Sequence, residues 1–323
     1  MTRTVCVTGA TGGLGLSLVS ALRQRGDAVK ALVRRTSSTE DLYRLGCDLV
    51  EGDITDHGAL LRAMDGCDGV FHAAARVGDW GPEDELARVN IQGTVAALEA
   101  AREARVGRFV HVSSTAVYGA TTVKVLEETL PVCTSGRPYA DSKVAAERRV
   151  FAFAKETGLA VSVVRPCRLY GPHDRTFLPR LASHLRGGRF VYFVDPSTPV
   201  NLVHASHAVD VLLRALEHPL AVGEAFNVSD GAMLPLKALV EALCRCLRVP
   251  PPRLQVPTGV ARAGAAALEG VWRLARAKSP PVVTVGLVEG LAQGSVVSCE
   301  KARRVLGFAP AFGTAEGIAQ VMV

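Results

Sequence analysis

The chain has 323 residues, of which 48% are hydrophobic and 21% charged, and its formal net charge is +6. Such a composition is that of a folded protein, and the length allows one large α/β domain with a smaller lobe. Lysines and arginines are scattered along the chain, which argues against a nucleic-acid partner and suits an anionic cofactor. The mean hydropathy of +0.22 indicates a large core, an apolar substrate pocket or an adhesive partner surface.

Strand-like and helix-like runs alternate through the first half of the chain. Short apolar runs predict six strands, at 4–8, 28–33, 48–51, 69–72, 108–112 and 160–165. Helical spacing of apolar residues predicts three of the connecting helices, at 14–25, 83–105 and 139–157. This alternation predicts an α/β fold with a doubly wound parallel sheet, the Rossmann architecture.

The pattern loosens after the sixth strand, where glycines and prolines punctuate shorter elements. Helical runs at 236–247 and 258–277 predict a smaller, mostly helical lobe at the C-terminal end. We therefore expect a Rossmann domain over 1–166, completed by 201–229, and a lobe over 167–323 that would bind the substrate.

Signals for metal binding and targeting are absent from the sequence. The eight cysteines show no paired zinc-ligand spacing and the histidines form no cluster with ligand spacing, so we expect no bound metal. The first residues enter a strand at once and lack the apolar core of a secretory signal. No run reaches the roughly 20 apolar residues that a membrane span requires. These features predict a cytoplasmic protein without an integral membrane span.

A glycine-rich turn joins the first strand to the first helix. Glycine permits a tight turn, a close approach of backbone to a diphosphate, and close packing of helix on strand. Unpaired N–H groups at the start of the helix would then hold the diphosphate, which the helix dipole also favours. In this strand–turn–helix context the turn predicts a dinucleotide site. The residues expected to bind the cofactor here are Gly9, Thr11, Gly12, Gly13, Leu14 and Gly15.

The end of the second strand distinguishes the two nicotinamide cofactors. An acidic residue there would bind the ribose hydroxyls of NAD, whereas arginine accommodates the 2′-phosphate of NADP. Arg34 and Arg35 follow the strand and no acid occurs before Glu40, so we favour NADP(H) and keep NAD(H) as the alternative. A solvated strand end is the other explanation of the two arginines.

Two further segments are placed to contact the cofactor. Asp53 could accept a hydrogen bond from the adenine amino group, with Ile54 against the ring, although a helix N-cap at Thr55 or Asp56 explains the same polarity. Three small residues after the fourth strand would let a ribose lie against its end. They are Ala73, Ala74 and Ala75.

A tyrosine and a lysine one helical turn apart are the candidate catalytic pair. Tyr139 and Lys143 share one face of the predicted helix at 139–157. Free tyrosine titrates near ~10, and a charged lysine close to it favours the phenolate, so that the phenol can exchange a proton at neutral pH. Ser114 follows the fifth strand, at the edge of a parallel sheet where catalytic groups gather, and can donate to a substrate carbonyl oxygen.

Four segments in this order, TGATGGLG, SSTAVYG, YADSK and RPCRLYGP, resemble the extended short-chain dehydrogenases/reductases. The resemblance covers residues 4–230. It implies that Tyr139 is the acid/base, that Lys143 is its partner, that both contact the cofactor, and that Ser114 is the catalytic serine. It also implies a homodimer formed through two long helices of the first domain.

The resemblance assigns further positions. Asn90 matches the family's helix asparagine, which supports the catalytic lysine through water; a structural asparagine at a helix kink is the alternative explanation. Ser113 lies beside the catalytic serine, and Pro166 and Cys167 would run beside the nicotinamide. These last three residues would therefore contact the bound cofactor.

Residues 198–209 separate the branches of this family. Nucleotide-sugar members usually carry an arginine where Val200 stands and an acidic pair where Ser206 and His207 stand. Because an apolar side chain cannot replace a bidentate clamp on a diphosphate, these positions favour a small, apolar substrate. The loop at 76–81 and the C-terminal tail resemble the 3β-hydroxysteroid-dehydrogenase-like branch, which includes 2-alkyl-3-keto acid reductases.

We therefore expect an NADPH-dependent oxidoreductase that interconverts a ketone and a secondary alcohol on an apolar 3-keto acid or 3β-hydroxysteroid-like substrate. An NAD-dependent sugar or nucleotide-sugar epimerase or dehydratase is the first alternative. A catalytically silent, nucleotide-sensing protein is the second, and the intact set of Ser114, Tyr139 and Lys143 argues against it.

Overall fold

The computed structural model describes residues 2–78, 80, 82–175, 177–231, 233–275, 277 and 279–322. The strands, in chain order, are β1 (Thr4–Thr8), β2 (Ala28–Val33), β3 (Asp48–Glu51), β4 (Gly69–His72), β5 (Arg108–Val112), β6 (Val125–Leu126), β7 (Val161–Pro166), β8 (Arg168–Tyr170), β9 (Pro199–Val200), β10 (Leu202–His204), β11 (Ala225–Val228), β12 (Leu234–Pro235) and β13 (Val296–Val297). The α-helices are α1 (Gly13–Gln24), α2 (Glu40–Arg44), α3 (His57–Met64), α4 (Glu83–Leu86), α5 (Gly93–Glu103), α6 (Pro138–Thr157), α7 (Leu178–Arg186), α8 (Ala205–Glu217), α9 (Leu236–Leu247), α10 (Thr258–Leu274), α11 (Val285–Ala292), α12 (Glu300–Leu306) and α13 (Thr314–Met322).

Seven parallel strands form the central sheet, in the order β11-β7-β5-β4-β1-β2-β3. The order reverses between β1 and β4, as in a doubly wound sheet, so the carboxyl ends of these strands share one edge. The predicted Rossmann fold is confirmed. Five of the six predicted strands have the predicted bounds, and the sixth, β7, begins and ends one residue later.

Helices cover both faces of this sheet. On one face α1, α8 and α12 pack in a cluster that includes the fully buried Leu18, and on the other α3 and α5 pack in a cluster that includes Leu60. Because helices cover both faces of the sheet, every residue of β7 is buried, including the polar Ser162 and Arg165. The register pairs Val112 with Val164, so the residues that follow β5 and β7 meet at the same edge.

The helix predicted at 83–105 is helical from Glu83 to Glu103, but it is not α-helical throughout. α4 leads into a π-helical segment, Ala87–Gln92, and α5 follows it. The sequence did not reveal this π segment. A π segment persists where tertiary contacts stabilise it, and Asn90 in this segment makes such contacts through its side chain.

A smaller lobe follows the sheet. Helices α7, α9 and α13 pack around a separate apolar cluster that includes Leu239 and Ile318. The helix predicted at 236–247 has the predicted bounds, and the one predicted at 258–277 is α10. The edge strand β11 belongs to the central sheet although it lies far beyond the other six in the chain. Across the described residues, no helix is both long and apolar enough to span a membrane.

Candidate active site

The turn after β1 forms a tight cradle of backbone at the carboxyl edge of the sheet. Gly9 has a φ of +74°, and a Cβ atom there would lie 2.6 Å from the backbone nitrogen of Ala74. A Cβ atom on Gly15 would overlap the carbonyl oxygen of Gly9. Because neither position has room for a side chain, glycine lets the turn, α1 and the end of β4 pack against one another.

The start of α1 fits a diphosphate. Gly12 caps this helix without a side-chain hydrogen bond, and the first turn contains no acidic residue. Its backbone N–H groups and the helix dipole therefore favour an anion at this end. A Cβ atom on Gly13 would lie 2.9 Å from the carbonyl oxygen of His173, so the loop after β8 lies close against the same helix end. The turn thus has the shape and the donors that a bound dinucleotide would need.

Charged residues follow β2 and β3 at the same edge. Arg34 and Arg35 are both exposed, and in the described part of the chain no carboxylate pairs with either guanidinium. Asp53 accepts hydrogen bonds from Thr55, and its Oδ1 lies 3.2 Å from a nitrogen of Arg88. Burial raises the pKa of Asp53, but the hydrogen bonds from Thr55 and the charge of Arg88 outweigh burial and lower it. Asp53 is therefore an ionised acceptor.

The neighbouring candidates help to pack this edge. Asp56 caps α3 by accepting from a backbone N–H of that helix at 3.0 Å, in line with the N-cap explanation. Ile54 is buried in the cluster that α3 and α5 form. The segment 73–75 runs against Gly9, and its Ala74 N–H donates to Thr8 Oγ1 at 3.3 Å. Their contacts with a cofactor remain predictions.

Three predicted catalytic residues gather where β5 ends. Lys143 Nζ donates to the carbonyl oxygen of Val112, the last residue of β5, at 2.7 Å. Ser114 lies two residues further along, with an extended backbone, and its Oγ accepts from the N–H of Ala116 at 3.1 Å. Tyr139 lies in the first turn of α6, one turn before Lys143. The fold therefore brings Ser114 and the Lys143 ammonium group to the end of β5, with Tyr139 one helical turn before the lysine.

Lys143 is a buried cation at this edge of the sheet. Lys143 is 3% exposed, and burial lowers its pKa to about 8, although the negative charge of Glu147 opposes part of that effect. The ammonium form therefore persists at neutral pH, and such a cation would stabilise a nearby phenolate. Burial, and then the charge of Lys143, lower the pKa of His72 to about 3. That ring is consequently neutral and does not compete with the lysine as a cation.

Asn90 ties the loop after β4 to α6. Its Oδ1 accepts from the N–H of Arg76 at 2.7 Å, and its Nδ2 donates to the carbonyl oxygen of Arg76 at 3.0 Å and to Ser142 Oγ at 2.8 Å. Ser142 Oγ in turn donates to the carbonyl oxygen of Tyr139 at 2.7 Å. The Asn90 amide thus has a structural role beside the candidate catalytic pair. The water-mediated role at the lysine remains a prediction.

A buried ionic network beneath the site was not predicted from the sequence. Ser113 is buried, and its Oγ donates to Glu147 Oε2 at 2.6 Å. Glu147 also forms a salt bridge with Arg165, whose guanidinium donates to the Tyr118 hydroxyl at 2.8 Å. The spacing of Glu147, one turn after Lys143, was the available signal. It did not reveal Arg165, which comes from β7.

The segment after β7 crosses the same edge. Pro166 ends the strand, and Cys167 is buried with its N–H donating to the carbonyl oxygen of Val228 at 3.0 Å. Arg168 follows and is exposed to solvent, with its guanidinium carbon 5.2 Å from the centroid of the Phe177 ring. Sequence reasoning did not single out Arg168, although it lies in the RPCRLYGP segment, because only Pro166 and Cys167 of that segment were assigned to the cofactor.

Arg168 adds a positive charge beside Tyr139. The surrounding protein lowers the pKa of Arg168, and the charge of Arg137 lowers it further, whereas Tyr139 and Asp174 act in the opposite direction. Among the residues that the structure describes, no carboxylate forms an ion pair with Arg168. Part of Arg168 is exposed to solvent while protein charges surround its guanidinium, and an anionic group of a ligand would pair with it there.

Comparisons with known proteins agree with this geometry. Residues 5–229 match the model of the NAD dependent epimerase/dehydratase family. A 2-alkyl-3-oxoalkanoate reductase of Stenotrophomonas maltophilia is 33% identical, with 97% of each chain covered. A 3-beta-hydroxysteroid dehydrogenase of Mycolicibacterium neoaurum is 30% identical, with 98% of this chain and 89% of the relative covered. The solved structure of MoeE5 with UDP-glucose and NAD is 27% identical with a TM-score of 0.77, and the match covers 99% of this chain and 97% of that one.

Proposed function

We propose that this chain, which belongs to the NAD dependent epimerase/dehydratase family, reduces the ketone of an apolar 3-keto acid with NADPH. Membership and the related reductases and dehydrogenases make it an NAD(P)-dependent enzyme of the short-chain dehydrogenase/reductase type. The observation that carries the proposal is the buried Lys143, which lies one helical turn after Tyr139 and donates to the carbonyl oxygen of Val112, two residues before Ser114.

In this proposal the chain's own residues position the ketone and supply the proton. The nicotinamide, when bound, supplies the hydride to the carbonyl carbon. Ser114 donates a hydrogen bond to the carbonyl oxygen, and Tyr139 gives its phenolic proton to the same oxygen. The Lys143 ammonium stabilises the phenolate that remains. Asn90 and Ser142 hold the start of α6 against the loop after β4, and so fix the position of Tyr139.

Two unpaired arginines support NADPH as the reductant. Arg34 and Arg35 directly follow β2, where the adenosine ribose is expected in this fold, and charge-assisted hydrogen bonds to a 2′-phosphate would satisfy both guanidinium groups. Asp53 would accept from the adenine amino group, and the segment 73–75 would lie against a ribose.

Arg168 favours the keto acid over a neutral steroid-like substrate. In a 3-keto acid the carboxylate carbon is two bonds from the carbonyl carbon, so a carbonyl at Tyr139 leaves the carboxylate close to a neighbouring cation. A guanidinium binds a carboxylate through two parallel hydrogen bonds, and a steroid hydroxyl or ketone offers no such charge. The reductase relative is named for a 3-oxoalkanoate, which agrees with this choice.

The experiment compares a long-chain 3-oxo acid with its methyl ester in steady-state assays with NADPH. Wild-type protein is expected to reduce the acid with the lower KM. Arg168→Leu should raise the KM for the acid about tenfold or more, because a charge-assisted bond contributes roughly 1.5–3 kcal/mol. The same variant should leave the KM of the ester nearly unchanged, and Arg168→Lys should restore part of the loss.

Three results would overturn the proposal. Turnover of neither acid nor ester, together with interconversion of a UDP-sugar without added reductant, would assign the epimerase alternative. Faster oxidation of a 3β-hydroxysteroid than reduction of the acid would assign the steroid class. An equal effect of Arg168→Leu on acid and ester would remove Arg168 from carboxylate recognition. Unchanged NADPH affinity in each variant serves as the folding control.

A further inference from the structure

Helix α10 turns an apolar stripe toward solvent. Five positions at helical spacing lie on one side of this helix and all are exposed: Val260, Gly264, Ala267, Val271 and Leu274. The exposed fractions of Val260, Val271 and Leu274 are 62%, 57% and 87%. In α10 the one buried residue is Ala265, on another side of the helix. Helices of globular domains normally direct such a stripe into the core, so this one points to an occupant outside the chain.

The net positive charge of the chain is concentrated in residues 245–278, which include α10. Basic residues occur throughout, but in the rest of the chain taken together acidic residues equal them in number. Between residues 245 and 278 the chain has seven of its 37 basic residues and one of its 31 acidic residues, a net +6 that equals the charge of the entire chain. The basic residues of this stretch that the structure describes are all exposed: Arg245, Arg248, Arg253, Arg262 and Arg273.

The positive charge of residues 245–278 indicates which kind of partner the exposed face of α10 binds. A second copy of the chain would bring two stretches of +6 together, and the repulsion would oppose pairing. An anionic bilayer accepts both features, because its interface takes up an apolar helix face while its headgroups attract arginines. The ion pair of Arg262 with Glu289 is exposed and therefore weak enough to rearrange, and the Arg273 side chain, which pairs with the largely buried Glu269, is itself exposed.

We propose that α10, with the turn at 253–257 that leads into it, docks on an anionic lipid surface. The helix lies in the plane of the interface, with its apolar stripe among the acyl chains and its arginines at the headgroups. Leu254, which is 62% exposed, extends the apolar face into the turn. This arrangement is interfacial and requires no membrane span.

The docked helix lies beside the loop that borders the catalytic edge. Just beyond α10, the carbonyl oxygen of Ala277 accepts from Trp80 Nε1 at 3.0 Å, and the Arg273 guanidinium carbon lies 5.8 Å from the centroid of the Trp80 ring. Trp80 belongs to the loop after β4, which Asn90 fixes through Arg76. An apolar substrate dissolved in the bilayer would therefore enter the protein near the candidate active site.

Sedimentation with sucrose-loaded vesicles tests the proposal on the full chain. Vesicles of phosphatidylcholine with one quarter phosphatidylglycerol should bind wild-type protein at least tenfold more tightly than vesicles of phosphatidylcholine alone. Val271→Glu with Leu274→Glu should lower binding to the anionic vesicles at least tenfold. The matched control is Leu220→Glu with Met233→Glu, because these side chains are 68% and 63% exposed and the charge changes equally. The control pair should keep most of the binding.

Other outcomes would overturn the proposal. Wild-type protein that binds neither kind of vesicle, or equal losses in the two double variants, would remove the lipid surface as occupant. A wild-type dimer in solution that becomes monomeric with Val271→Glu and Leu274→Glu, without vesicle binding, would assign the stripe to a second copy. NADPH affinity and turnover of a water-soluble substrate should be unchanged in both double variants, so a failure here is distinguishable from a failure of the proposed function.

Discussion

Arg34 and Arg35 determine, in our proposal, which dinucleotide the enzyme prefers. The 2′-phosphate of NADPH accepts charge-assisted hydrogen bonds that the ribose hydroxyl of NADH cannot replace. Each such bond contributes roughly 1.5–3 kcal/mol. Replacing both arginines by alanine should therefore weaken NADPH binding about a hundredfold or more and weaken NADH binding less than about twofold. Fluorescence titration of nucleotide-free protein with each dinucleotide measures both affinities.

Arg44→Ala is the matched control for this pair. Arg44 is also an exposed arginine, but it lies on α2 and pairs with Asp41 at 3.3 Å. Its removal should leave both affinities as they are. Equal weakening of NADPH and NADH by the double variant would contradict the phosphate clamp, and the enzyme would then be an NAD-linked dehydrogenase or epimerase.

At the scale of one element, helix α6 carries the candidate catalytic chemistry. Tyr139, Lys143 and Glu147 follow one another at intervals of one turn, and burial lowers the pKa of Lys143 to about 8. Above that pH the ammonium is lost, and the phenolate left by proton transfer is no longer stabilised. The rate of ketone reduction should therefore fall above about pH 8. Lys143→Arg keeps its charge and should move this decline upward by about one pH unit or more.

Protein stability does not explain such a decline. The pKa of Lys143 is lower in the folded chain than its ordinary value of 10.5, so between about 8 and 10.5 the unfolded chain binds more protons. Through this group, the folded state therefore becomes relatively more stable as the pH rises. A pH–rate profile of kcat, with circular dichroism at each pH, separates the two effects. If kcat falls at the same pH in the wild type and in Lys143→Arg, the ionisation of Lys143 does not cause the decline.

Secondary structure was predictable from sequence where one chain segment contains the whole signal. The strands β1 to β5 are short apolar runs bounded by turn residues, and each has the predicted bounds. The sequence did not reveal the π segment, Ala87–Gln92, in the helix predicted at 83–105, because this segment depends on hydrogen bonds to other elements. Asn90 reaches Arg76 after β4 and Ser142 in α6, and neither contact is visible in the spacing of apolar residues.

The residues of the candidate site divide in the same way: local sequence patterns reveal some of them, and the others depend on contacts between distant segments. The glycine turn and the Tyr139–Lys143 spacing are local patterns, so the sequence located them. The position of Arg168 near the site is visible only in the fold, because β7 pairs with β5 and brings the residue after Cys167 to the edge where Ser114 lies. The partners of Glu147 are separated in the same way, since Ser113 and Arg165 come from the ends of two neighbouring strands. Contacts between segments that are far apart in the chain leave no periodic pattern in the sequence.

At the scale of the whole molecule, one buried carboxylate joins the sheet to the C-terminal segment. Asp230 is the residue after the family match, which ends at residue 229. Its Oδ1 accepts from the His204 N–H at 2.8 Å and from His207 Nδ1 at 2.9 Å. Its Oδ2 accepts from the Tyr170 hydroxyl at 2.7 Å and from Thr314 Oγ1 at 2.9 Å. Four donors from β8, β10, α8 and α13 therefore converge on a side chain that solvent does not reach.

Removing this carboxylate should loosen the lobe from the sheet. Asp230→Ala removes the acceptor of four buried donors; the Tyr170 hydroxyl also lies 3.4 Å from the carbonyl oxygen of Thr314, and the other three lose their acceptor. Each unsatisfied group costs roughly 1–3 kcal/mol, so the free energy of unfolding should fall by at least about 3 kcal/mol. Thr314→Val removes one donor with nearly the same shape and should cost about 1 kcal/mol. Urea denaturation measures both losses, and Asp230→Asn, which keeps one acceptor, should lie between them.

Hydrogen exchange shows where the stability is lost. The N–H of Ala311 donates to His207 Nε2 at 3.1 Å, so the ring that Asp230 holds also anchors the loop before α13. In Asp230→Ala the amides of α13 should exchange faster than those of β5, because α13 loses its anchor while the sheet keeps its register. A loss no larger than that of Thr314→Val, or equal acceleration in α13 and β5, would mean that Asp230 does not join the two parts. The lobe would then be held by its apolar cluster alone, and substrate binding would not depend on this carboxylate.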